Sequence, residues 1–108
     1  MNVELAKEMV VTYEKHGWEL RRILRASANE EERTKIAQAF PGPPITDAEI
    51  DALWFARRSH AEREAWELRL VAEQPYALFE AFEADESEED REDARREMQN
   101  KMREHARV

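Results

Sequence analysis

The chain has 108 residues, 39% of them charged and 42% apolar, with a formal net charge of −8, enough for one domain with a modest core. The acidic balance disfavours nucleic acid as a partner, and the lack of cysteine excludes disulfides and thiolate metal sites. No apolar leader and no run of about 18 apolar residues is present, so a cytoplasmic protein without membrane contact is expected.

Residues 3 to 15 read as an amphipathic helix. Leu5, Met9 and Tyr13 recur every fourth residue, Ala6 and Val10 lie beside them, and Asn2 can cap the start. Gly17 suits a left-handed helix end, with Lys15 and His16 placed against the negative end of the dipole. A strand follows from Trp18. The rival is one helix continuing to Arg25, at a cost of about 1 kcal/mol for a glycine in its interior.

The tetrapeptide Trp18-Glu19-Leu20-Arg21 occurs again as Trp66-Glu67-Leu68-Arg69. Apolar residues two apart, with charges between, mark a half-buried strand. Between the copies, Asn29 with Glu32 makes a capping box for a short helix that Thr34 to Phe40 completes. Pro41-Gly42-Pro43-Pro44 then breaks regular structure and reads as a stiff surface turn closing the connection over 26 to 47.

Thr46 and Glu49 offer another capping box, which would favour a helix from Asp47. The bulky run Leu53-Trp54-Phe55 favours a strand over Ile50 to Arg58 instead. Ser59 to Arg63 would be a loop and Glu64 to Val71 the returning strand, although the turn lacks Gly and Asn. Gln74-Pro75 marks a boundary, after which Leu78, Phe79 and Phe82 form an apolar stripe for a helix docked on a sheet. From Asp85 to Glu97, eight of thirteen residues are acidic; Ser87 with Asp90 can cap a final helix, along which Ala94, Met98 and Met102 make a narrow stripe.

These readings assemble into a small α+β fold. A three-stranded antiparallel sheet is packed by an N-terminal helix and a long C-terminal helix, and an all-α helical bundle is the alternative. Trp18, Leu20, Leu24, Trp66, Leu68 and Leu70 are the expected core strand residues. Residues 1–84 form the domain and 85–108 an acidic, helical, thinly anchored tail.

Chemistry is sparse. His60 and Glu64 stand four apart but complete no metal or protease motif, and His16 and His105 read as surface residues. Two glycines cannot build a phosphate loop, and Ser27, Ser59 and Ser87 lack a nucleophile-elbow context. No catalytic, cofactor-binding or metal residue is assigned. Arg21, Arg22, Arg57 and Arg58 with Trp54 are the candidate contacts, because arginines beside an exposed aromatic suit an anionic ligand or single-stranded nucleic acid. Interleaved Glu19, Glu64 and Glu67 would instead make an Arg/Glu ladder. The expected function is a non-enzymatic protein-interaction module, working through a protein partner or as a homodimer, since a small sheet leaves edges another chain can pair. Binding of an anionic ligand through the arginines is the alternative, and a small enzyme using His60 or a glutamate a third.

Overall fold

In the computed structural model, which describes Met1–Arg107, the Asn2 side chain accepts from the Leu5 N–H at 3.0 Å and opens helix α1 (Val3–Lys15). Gly17, at φ 84°, lets the chain reverse into strand β1 (Glu19–Arg25). The Asn29 side chain accepts from the Glu32 N–H at 3.1 Å and starts α2 (Glu30–Ala39). Strand β2 (Ile45–Asp47) follows the proline turn. Next come β3 (Ala52–Arg58), a single 3-10 turn at His60–Glu62, β4 (Glu64–Leu70) and β5 (Ala77–Phe82). Ser87 then caps α3 (Glu88–Ala106).

The α+β class holds, but the sheet is larger than expected. It has five strands in the order β2-β1-β3-β4-β5 and is mixed, because β2 runs parallel to β1 while every other pair is antiparallel. Two strands escaped the sequence. Three residues after a proline run are too few to show a period, so β2 lay hidden in what read as a turn. The stretch expected as a helix after Pro75 is β5. Its residues Leu78 and Phe82 face one side of the sheet and Phe79 the other; pairing with β4 from Arg69 to Glu64 overrides a spacing that also suited a helix.

Each face of the sheet is covered. Helices α1 and α2 lie over Ile23, Leu53 and Phe55, packing Met9, Val10, Ile36 and Phe40 against them. Helix α3 lies over Leu24, Trp54, Trp66, Leu68 and Phe82, and inserts Met98 and Met102. Two ties fasten the helices. Tyr13 stacks on Phe55 and donates its hydroxyl to Glu67; burial first and that carboxylate second drive its pKa up. On the other face, the indole N–H of Trp54 donates to Gln99 of α3 at 3.1 Å.

The repeated tetrapeptide is split between these layers. Trp66 and Leu68 face α3, whereas Trp18 and Leu20 pack on the α1 side. A bulge between Leu20 and Arg22 accounts for Leu24 facing α3 although Leu20 does not. The expected core strand residues therefore belong to two cores, not one.

Candidate functional site

Strand β2 is too short to cover its neighbour. It pairs with β1 only at Ile23, Leu24 and Arg25, and the last bond on that side runs from the Ile23 N–H to the Pro44 carbonyl at 2.9 Å. Upstream of that point the adjacent chain is Pro41-Gly42-Pro43-Pro44, whose prolines have no N–H to offer. Glu19, Leu20 and Arg21 therefore have no strand beside them on the side away from β3.

This open edge floors a groove of about 770 Å³. One wall is α1, through Val10 and Val11 together with the charged Lys7 and Glu14; the other is the end of α2 and the proline turn, through Phe40 and Pro41 to Pro44. Val11 is 52% exposed, a large apolar side chain left outside the core at the lip of the groove.

On the opposite face of the same edge lies a polar cleft of about 220 Å³ lined by Arg21, Arg22, Pro44, Glu64, Trp66, Glu88, Arg91 and Arg95. Arg21 and Pro44 border both hollows. Trp66 is the centre of the cleft. The guanidinium of Arg95 lies 4.1 Å from its ring centroid and those of Arg21 and Arg22 each 5.3 Å, within range of cation–π attraction. Arg95 is only 2% exposed, pairs with Glu88 at 2.9 Å and Glu92 at 2.7 Å, and leaves its buried Nε without a partner. Arg22 grips Glu92 through both terminal nitrogens, at 3.0 and 3.1 Å. Those bonds, opposed by burial and aided by Arg95, hold the Glu92 carboxyl below the usual glutamate range. Arg91 pairs with Glu64 at 3.4 Å. Four guanidiniums thus meet three carboxylates, and Arg21 forms no ion pair among the described residues.

The sequence-predicted contacts do not assemble into one face. Arg21 and Arg22 reach this cleft. Arg57 sits on the other side of the sheet, 4.6 Å over the Trp18 ring, with its guanidinium donating to the His16 carbonyl at 3.0 Å. Arg58 lies at the end of β3, in register with Glu64. Trp54 is fully buried under α3. Sequence reasoning missed Trp66 as the aromatic of the site, and Arg91 and Arg95 as its cations. A signal for the latter was present: residues 91, 95, 98 and 102 fall on one helical face with the methionine stripe.

The histidines stay apart: His60 is exposed on its 3-10 turn, and His105 stacks on Tyr76 at 3.5 Å between centroids. No cluster of three metal-ligating side chains occurs among the described residues, and no helix among them is long and apolar enough to cross a membrane. Comparison with protein-family models, with curated proteins and with solved structures finds no significant match.

Proposed function

We propose that this chain is a non-enzymatic protein-interaction module that takes an extended segment of a partner polypeptide along the open half of β1. The observation that carries this is the coincidence of an unpaired strand edge with an apolar groove beside it. Backbone groups alternate sides along a strand, and with Glu19 paired to Ala56 it is Leu20 that turns its N–H and carbonyl to the open edge, where an extended chain can bond them. Val10, Val11, Leu20 and Phe40 supply apolar contact for its side chains. The bulge and the charged Glu19 and Arg21 guard the edge against indiscriminate pairing, so an occupant must fit the hollows on either side.

The test is titration with a capped peptide of alternating valine and threonine, followed by amide chemical shifts. Shifts centred on Glu19, Leu20 and Arg21, with new protection of the outward-facing Leu20 amide from exchange, support strand addition. A Val11→Glu substitution, which puts a charge at the groove's lip, should weaken binding about tenfold, the equivalent of losing one buried apolar contact and desolvating a carboxylate. Shifts absent from these amides, or confined to another part of the molecule, rule the proposal out.

A further inference from the structure

A strand laid on this edge would send successive side chains to opposite faces of the sheet. The two faces differ sharply here. The α1 side is the apolar groove, and the α3 side is the arginine cleft, with Pro44 and Arg21 at the divide. Building on that strand-addition reading, we infer that the occupant alternates apolar side chains with an acidic one, and that its carboxylate enters the cleft between Arg21 and Arg22.

Three observations select a carboxylate. Arg21 is the one guanidinium of the cleft without an acidic partner, so the site carries an excess positive charge on a molecule whose net charge is −8. The Arg21 and Arg22 guanidiniums lie at equal distances from the Trp66 ring centroid, so cation–π attraction favours their placement at the cleft before anything binds. Glu92 anchors Arg22 from below, leaving Arg21 as the donor free to make a charge-assisted bond. A long anionic polymer is a poor match, because the cleft is small and the exposed Glu88 of α3 lines it.

The experiment compares three capped peptides that alternate valine with threonine: one with threonine throughout, one with a central glutamate and one with a central lysine. The glutamate peptide should bind about tenfold more tightly than the threonine peptide, and the lysine peptide more weakly than either. Added salt should shrink the glutamate preference, and so should Arg21→Gln, an exposed substitution that breaks no ion pair. Equal affinities for the glutamate and threonine peptides, with shifts still centred on Glu19 to Arg21, overturn the acidic occupant and leave strand addition standing. Failure of all three to reach that edge removes both. If the same amides shift with protein concentration alone, the occupant is a second copy of the chain and the acidic partner is overturned.

Discussion

Gly17 and Ala61 both sit in the left-handed region of backbone space, at φ 84° and 58°. At Gly17 the residue suits the geometry, and a Cβ there would meet nothing within 4 Å, so substitution acts through the backbone alone. Gly17→Ala should lower stability by about 1 kcal/mol. Ala61→Gly should raise it by about 0.5–1 kcal/mol, because the hairpin forces alanine into a turn glycine accepts freely. Urea unfolding midpoints at unchanged slope would check both. The first position was legible in the sequence and the second was not. Nothing in the composition of the loop betrays its shape; it is imposed by closure of the hairpin, where the Ser59 N–H donates to the Arg63 carbonyl at 2.8 Å. The tryptophans teach the same lesson. Trp54 and Trp66 have similar strand contexts, and only the placement of α3 decides that Trp54 is sealed while Trp66 borders a cleft.

At the scale of elements, α3 is the informative case. Its sequence is strongly acidic, yet Met98 and Met102 are buried and Arg95 is wedged between Trp66 and Phe82. An apolar stripe this narrow suffices because the bulk of the core comes from the sheet. Met102→Ala should therefore cost about 3 kcal/mol, far more than expected of a loosely held tail, as thermal or urea unfolding would show. A chain ending at Glu86 should lose cooperative unfolding, with red-shifted tryptophan emission as Trp54 and Trp66 meet water. Caps and breaks were readable at this scale: Asn2, Asn29 and Ser87 each accept the helix-starting bond that their positions suggested. The pairing of β5 was not, since its choice between helix and strand is made by β4, which is distant information to any local pattern.

For the whole molecule, the sheet is a partition between two cores, and ion pairs join it to the helix on one side. Arg22 of β1 reaches Glu92 of α3, and Arg91 of α3 reaches Glu64 of β4. The Arg/Glu ladder expected across the strands is replaced at these positions by bonds from sheet to helix. Because the Glu92 carboxyl is held below its ordinary range, its contribution to stability is complete above about pH 5 and fades as acid protonates it. Glu92→Gln should thus be less stable than the parent at neutral pH, with the gap closing on acidification; urea unfolding across a pH series measures it. Salt should reduce the gap at neutral pH, since both partners are partly exposed.

The bulge in β1 also carries a rule of parity. Downstream of it, even-numbered Arg22 and Leu24 point to α3; upstream, even-numbered Leu20 points to α1. The extra residue shifts the phase of the alternation, so that each half of the strand presents its apolar positions to the layer that needs them. Deleting Arg21 would therefore do more than remove a charge: with α1 tethered upstream, either the helix shifts by a residue or Leu20 changes sides and leaves its own layer unfilled. The odd residue at the rim of the proposed site is also the one that keeps the two halves of the molecule in step.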